Sequence, residues 1–454
     1  MINVRLLEKY NVPVPRYTSY PTVPYWKDSI DCKEWEATFQ HDFKVDNVLK
    51  GVSLYIHLPF CESLCTYCGC NKKITANHSV ETEYMEAVLE EWGLYCQLME
   101  EKPIVRELHL GGGTPTFFAP ENIAKLVNGI LKHAVLHPEH EFSFEGHPNN
   151  TTREHLQTLY EVGFRRVSFG VQDNDPEVQR VINRVQPFEN VKYVTEAARE
   201  IGYKSVNFDL IYGLPHQTVE SITRTIDQTI TLRPDRVAFY SYAHVPWTSK
   251  GQRLFDEHDL PSPGEKMKLY QTGKAMFTEN GYYDIGMDHF ALPGDDLYIA
   301  SQEGRLHRNF MGYTTQQTNM LIGLGVSSIS STESAFGQNA KILQAYYNDI
   351  KQGKLAIEKG IFLTDEDKRF GKYILDISCR GKTIFLPQDM ELINTYCLPE
   401  LKKMEADDLL VLEPGQLEIT KLGRSFIRNI CSAFDLYLQR NNTNKEKRIF
   451  SNAI

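Results

Sequence analysis

Between residues 53 and 290, short β-like runs alternate with amphipathic helical stretches, and this alternation constrains the fold more than any other feature of the chain. The runs SLYIHLPF (53–60), VRELHLGG (105–112), EFSFEGH (141–147) and FRRVSFGVQ (164–172) are followed by SVNFDLIYGLP, RVAFYSYA and YYDIGMDHF. Helical patterns fill the gaps. Ile123, Leu126, Val127, Ile130 and Leu131 recur at helical spacing behind Pro120, a residue suited to a first turn. Gly163 and Gly202 stand where helix C-caps belong. Strand, helix, strand in regular succession implies parallel strands joined by right-handed crossovers. About six such units fit into 53–290, fewer than the eight of a closed barrel, so the predicted fold is α/β, a partial (β/α)6-type barrel. Functional groups in such a barrel sit at the C-terminal ends of the strands.

Four segments are predicted. Residues 1–50 form an N-terminal arm on the substrate side, with Pro15-Arg16-Tyr17-Thr18-Ser19-Tyr20-Pro21 an extended piece bracketed by prolines. Residues 51–290 form the barrel, and 291–364 an extension and connector. In 365–454 helices over 368–379 and 387–406 precede a hairpin, 409–412 and 417–420, turning at Pro414-Gly415, which makes this a mainly helical, winged-helix-like domain. Winged helices often bind DNA, but Lys plus Arg total 49 against 59 Asp plus Glu, a net charge of −10. That balance argues against nucleic-acid or anionic-membrane partners and for a packing or lid role. An anionic ligand would need a local basic pocket. No secretory h-region and no run of about 18 apolar residues occurs, so the cytoplasm is the expected compartment.

Of nine cysteines, Cys61, Cys65, Cys68 and Cys70 fall within ten residues, directly after the first predicted strand. In a reducing compartment such clustering points to metal binding or redox chemistry. Cys32, Cys96, Cys379, Cys397 and Cys431 are scattered and read as small buried apolar side chains. The C-x3-C-x2-C spacing places three thiolates on one loop, able to reach three corners of an iron–sulfur cubane and to leave one iron open. An open iron can be chelated by the amino and carboxylate groups of a methionine. A zinc loop completed by Cys70 or His57 is the structural alternative. The second signal is Gly111-Gly112-Gly113-Thr114-Pro115-Thr116 after the next strand, where bare backbone can hold a zwitterionic amino-acid end. It lacks the spacing of a dinucleotide fingerprint.

The three-cysteine loop after a first barrel strand resembles the defining motif of the radical S-adenosylmethionine (SAM) superfamily. The C-G-C ending of the loop, GGGTPT, GVQD, VNFDLIYGLP, GMDHFA, HRNFMGYTT and RNICSAFDLYL together resemble the oxygen-independent coproporphyrinogen III oxidases, over Pro15 to Leu438. The resemblance implies that Cys61, Cys65 and Cys68 ligate a [4Fe-4S] cluster. It implies that Tyr55, Gly111 and Glu145 hold the cluster-bound SAM, with Ile329 at its adenosine end. A second SAM would be held by Gly112, Thr114, Gln172, Arg184, Asp209 and Ala243. Cys70 and His57 are the candidate catalytic residues; relatives proposed to be heme chaperones usually carry Phe at the position of Cys70. Arg16, Tyr17, His307, Arg308, Asp288, His289 and Arg428 are candidate substrate-side groups, since coproporphyrinogen III carries four propionates.

The implied activity is oxygen-independent oxidative decarboxylation of two propionates to vinyls, giving protoporphyrinogen IX in heme biosynthesis. A one-electron reductant protein such as flavodoxin or ferredoxin, an unassigned electron acceptor and a monomeric state are expected. A heme chaperone on the same barrel, or a related radical SAM enzyme acting on heme, is the alternative. One departure stands out: Gly146-His147-Pro148 follows Glu145 where the family pattern is closer to Val-Asp-Pro, so local hydrogen bonding there is expected to differ.

Overall fold

The computed structural model describes residues 4–440 and 450–453. Six consecutive strands, β1 (Val52–Leu58), β2 (Ile104–Gly112), β3 (Val135–Gly146), β4 (Arg166–Gln172), β5 (Ser205–Tyr212) and β6 (Arg236–Ser241), pair in that order and all in parallel. The connecting helices include α2 (Val80–Leu98), α3 (Pro120–Leu131), α4 (Arg153–Glu161), α5 (Phe188–Ile201) and α6 (Val219–Leu232); α1 (Cys32–Lys50) precedes β1. The amphipathic stripe read from sequence is the buried face of α3, whose Ile123, Leu126, Val127 and Ile130 are buried. Gly202 caps α5 and Gly163 follows α4, both at positive φ.

Alternation along these strands gives the barrel two unlike faces. Leu54, Ile56, Leu108, Leu110, Phe142, Phe144, Val167, Phe169, Val206, Phe208, Val237 and Phe239 are buried in the hydrophobic core. Most of the intervening residues are polar, and several meet one another. Tyr55 stacks on His109, Ser143 lies 2.8 Å from His109, and Ser168 donates to Asp209 at 2.8 Å. Parallel strands covered on both faces are ordinarily apolar throughout, so a polar inner face marks a lumen that is used. Buried charge plugs its N-terminal end: Ser53 donates to Glu107 at 2.9 Å, Thr314 donates to Glu107 at 2.7 Å, and Arg166 pairs with Glu141.

The sheet does not end at the six strands. β9 (Met320–Leu324) adds to β1 in parallel, and β10 (Ile329–Ser331), β11 (Ala335–Asn339) and β12 (Ile357–Phe362) continue outward antiparallel. At the other edge the run YYDIGMDHF, read as one more member of the strand series, is a hairpin of β7 (Tyr283–Gly286) and β8 (His289–Ala291), with β8 antiparallel to β6. The reason is the connection: only Met287 and Asp288, both at positive φ, separate the strands, and a parallel crossover needs a dozen residues or more. The result is a partial barrel in an open twelve-stranded sheet.

After the barrel, α9 (Asp365–Arg380; α7 is Pro263–Glu279 and α8 Leu343–Lys351) leads into a three-stranded antiparallel sheet, Lys382–Ile384, Leu410–Glu413 and Gln416–Ile419, with Gly415 at positive φ in the hairpin turn. The helical stretch between, 387–405, is broken into short pieces around a π turn at Ile393–Cys397. The N-terminal arm runs between this region and the barrel. Tyr17 donates to Asp435 at 3.1 Å, the Leu436 amide donates to the Tyr20 hydroxyl at 3.1 Å, and Arg16 donates to the Ser241 carbonyl at the end of β6. No helix among the described residues is long and apolar enough to cross a membrane.

Candidate active site at the C-terminal ends of the barrel strands

A cavity of about 240 Å³ opens at the C-terminal ends of β1 to β6. Cys61, Cys65, Cys68 and Cys70 line one side of it; Gly112, Thr114, Glu145, Gln172, Arg184 and Asp209 line the rest. These ten predicted residues thus share one wall system. Tyr55, His57, Gly111, Ala243 and Ile329 do not line it: Tyr55, His57 and Gly111 lie in β1 and β2 beside it, Ala243 follows β6 and its carbonyl accepts from Gln252, and Ile329 opens β10.

The loop 59–74 is held by backbone rather than by its thiols. Lys73 N–H donates to Pro59 O and Thr75 N–H to Cys61 O, so the chain returns to its starting point, with all four cysteines lining the cavity. The cysteines have different neighbours. Thr114 Oγ1 lies 3.4 Å from Cys61 Sγ, and Arg184 Nη1 lies 3.5 Å from Cys65 Sγ. Lys72 Nζ donates to the Cys68 carbonyl at 3.0 Å. The Cys68 thiol is drawn down to about 6, first by a hydrogen bond from Cys70 and with help from Lys72, while burial pushes Cys61 up. The neighbouring Cys68 thiolate drives Cys70 up in turn. Among the described residues, no three His, Cys, Asp or Glu side chains are gathered around a single ion position.

The glycine turn after β2 is bare for steric reasons. Gly112 has φ +116°, and a Cβ there would lie 2.8 Å from the His57 ring; one on Gly111 would press Tyr55 and Glu145 at 3.0 to 3.2 Å. The Gly112 amide donates to Glu145 Oε2 at 3.3 Å, so the carboxylate stands at the mouth of the turn with its other oxygen 3.6 Å from His109 Nε2. Tyr55 and His57 lie beneath: the Tyr55 hydroxyl is 3.1 Å from His57 Nδ1, whose Nε2 is 2.9 Å from the Asn71 carbonyl. Burial lowers the His57 pKa, so the ring is neutral and bridges the strand end to the cysteine loop.

On the far wall Gln172 adopts φ +65° at a register shift in β4, and Arg184 donates to the Gly170 carbonyl at 2.5 Å. The Arg184 Nε is buried without a partner. Asp209 accepts from Ser168 and Asn207; burial, then the nearby Glu145, raises its pKa to about 6. His147, the departure noted above, is held neutral by burial and by Arg184, with its pKa near 2. Its Nδ1 accepts the Asn149 amide at 3.1 Å, the i to i+2 bond an aspartate oxygen makes in an Asx turn.

His109 and Tyr240 were not singled out from sequence, although both face the lumen. His109 bridges Tyr55, Ser143 and Glu145, and Tyr240 lines the cavity at the end of β6. The readable signal was their parity: each is the inward member of its strand's alternation.

Taken together, thiols, a bare amide turn, a carboxylate and an arginine surround one cavity, a donor set that suits an iron–sulfur cluster beside a zwitterionic ligand. Residues 55–229 match the family described as the Radical SAM superfamily. The oxygen-independent coproporphyrinogen III oxidase of Pseudomonas aeruginosa is 37% identical over 452 residues, covering 98% of both chains. That of Synechocystis sp. is 39% identical over 466 residues, covering 100% of this chain and 98% of the relative. The solved structure of coproporphyrinogen III oxidase from Escherichia coli, described as a radical SAM enzyme, superposes with a TM-score of 0.89 at 36% identity, over 96% of this chain and 99% of that one. Matches of this extent span arm, barrel and C-terminal region alike, and the chain belongs to the oxygen-independent coproporphyrinogen III oxidases of the radical SAM superfamily.

Proposed function

We propose that this chain is the oxygen-independent oxidase that converts coproporphyrinogen III to protoporphyrinogen IX, two propionates becoming vinyls, in heme biosynthesis. The single observation that carries the reading is the near full-length match to the oxidases combined with a cysteine-lined cavity at the strand ends. Each propionate loses a hydrogen atom, carbon dioxide and one electron. When bound, the cluster and SAM supply the one-electron chemistry that breaks an unactivated C–H bond, which no acid or base side chain can break near neutral pH.

The protein's own residues bind and orient. Cys61, Cys65 and Cys68 hold the cluster, with donors from Thr114 and Arg184 balancing thiolate charge. Gly111, together with Glu145, takes the amino-acid end of the cluster-bound SAM, with Tyr55 supporting the turn from below, while Gly112 faces the second SAM. Arg184, Gln172 and Asp209 form the wall that receives a second SAM. His57, held neutral, fixes the cysteine loop to the first strand, and Cys70 lines the same cavity without being counted among the three thiols that would hold the cluster. A flavodoxin or ferredoxin is the class of donor that suits the electron step.

The test is anaerobic reconstitution followed by incubation with SAM, a one-electron reductant and coproporphyrinogen III, reading porphyrin mass and 5′-deoxyadenosine. Loss of two carbon dioxide equivalents in wild type and of both products in Cys65→Ala is the expected result. Heme binding without decarboxylation would support the chaperone alternative instead.

A further inference from the structure

A second set of charges lies away from the cysteines. Arg16 of the arm, Lys266 of α7, Asp288 of the β7–β8 turn, Arg308 of the hairpin His307–Asn309/Gly312–Thr314 and Arg428 of the helix Ile427–Ser432 lie within electrostatic reach of one another. In a chain of net charge −10, four cations around Asp288, with Asp284 the other carboxylate near it, is a local reversal of sign.

Most of these cations are committed to backbone. Arg428 donates to the Val14, Pro15, Asn452 and Ala453 carbonyls and so fastens the arm. Arg16 donates to Ser241 O and Lys266 to Tyr242 O, each at 2.8 Å. Arg308 differs. Its Nη2 makes one long bond, 3.4 Å, to the Arg16 carbonyl, and its Nε and Nη1 are buried with no acceptor. It is the one arginine among the described residues with two such nitrogens, and none of their carboxylates lies within 4.0 Å of it. A buried guanidinium left this way is a costly arrangement unless an anion completes it.

Its surroundings give the direction. The guanidinium lies 4.8 Å above the Tyr313 ring, which packs edge-on against His289. His289 Nε2 is 3.4 Å from the hydroxyl of Tyr240, a residue of the cysteine cavity's wall. Arg308 is thus joined to the wall of the cysteine cavity through Tyr313, His289 and Tyr240. Resting on the function proposed above, we propose that Arg308 receives a propionate carboxylate of the substrate and thereby sets which edge of the macrocycle faces the cysteine cavity. Arg16 positions Arg308 through its carbonyl, and Arg428 holds that carbonyl's chain in place.

The experiment uses the full reconstituted chain and coproporphyrin III, the oxidised, fluorescent tetracarboxylate. Arg308→Met is expected to weaken its binding by about thirtyfold and to raise KM more than it lowers kcat. The SAM-induced change in the cluster's electron paramagnetic resonance (EPR) spectrum is expected to stay as in wild type. Arg308→Lys, which keeps charge but loses the planar fork, is expected to weaken binding roughly threefold and decides the matter if the methionine variant does not fold. Binding within error of wild type in the folded variants, or equal loss of porphyrin binding and of the SAM response, would overturn the assignment. Wild type that binds coproporphyrin III through Arg308 yet performs no decarboxylation would sink the proposed function alone; wild-type turnover with Arg308→Met unimpaired would sink only this inference.

Discussion

At the scale of single residues, the cysteines have different neighbours. Thr114 addresses Cys61, Arg184 addresses Cys65, and Lys72 and Cys70 surround Cys68. Removing a ligand differs from removing its neighbour, and the two are separable: Cys65→Ala is expected to lose the brown chromophore, whereas Cys70→Ser retains it, as ultraviolet–visible spectra of anaerobically reconstituted protein will show. Gly112→Ala tests the bare turn. The added methyl meets the His57 ring at 2.8 Å in a backbone region that disfavours side chains, so SAM binding is expected to fall at least tenfold, with about 1–3 kcal/mol of stability lost. The cysteines and glycines were legible because spacing alone limits what they can do. A single histidine or tyrosine belongs to no motif, so only strand parity marks His109 and Tyr240 in the sequence although they bridge the same site.

At the scale of elements, alternation carried most of the information. Six parallel strands were readable because outward positions are apolar and the crossovers are long enough for helices. The β7–β8 hairpin was not, because its turn is Met287-Asp288 rather than a glycine pair, and propensity alone does not announce positive φ there. A further tie joins α2 to the loop after β9. Glu91, fully buried, accepts from the Gly325 amide, Tyr346 and Asn339, and burial raises its pKa to about 7. Its unfolded value is about 4.3, so the native chain holds the proton more tightly. The contribution of this group is therefore complete below about pH 4.3 and is lost as pH rises through 7. Between pH 5 and 8 this one group is expected to remove about 2–3 kcal/mol, and Glu91→Gln to flatten that share of the slope in thermal melts. A Gln variant with an unchanged pH dependence would mean that Glu91 is ionised in the native chain throughout.

At the scale of the whole molecule, the arm and the C-terminal region close the side that a six-unit barrel leaves open. Arg428 is the fastening, with four carbonyl contacts to the two chain ends. Arg428→Ala is expected to cost about 3 kcal/mol and to expose the first 30 residues to limited proteolysis, while the cluster spectrum persists. In the sequence Arg308 gains weight over Arg16 and Arg428 only from its LHRNF motif; the fold separates the tethers from a guanidinium with two unpaired nitrogens, because Arg16 and Arg428 find main-chain carbonyls as far away as Ser241 and Val14. The most direct test of the whole reading is the EPR spectrum of the reduced, anaerobically reconstituted protein with and without SAM. A [4Fe-4S] signal whose g values move on adding SAM is the expected result. A spectrum that SAM leaves unchanged, or a colourless protein containing zinc, would contradict it.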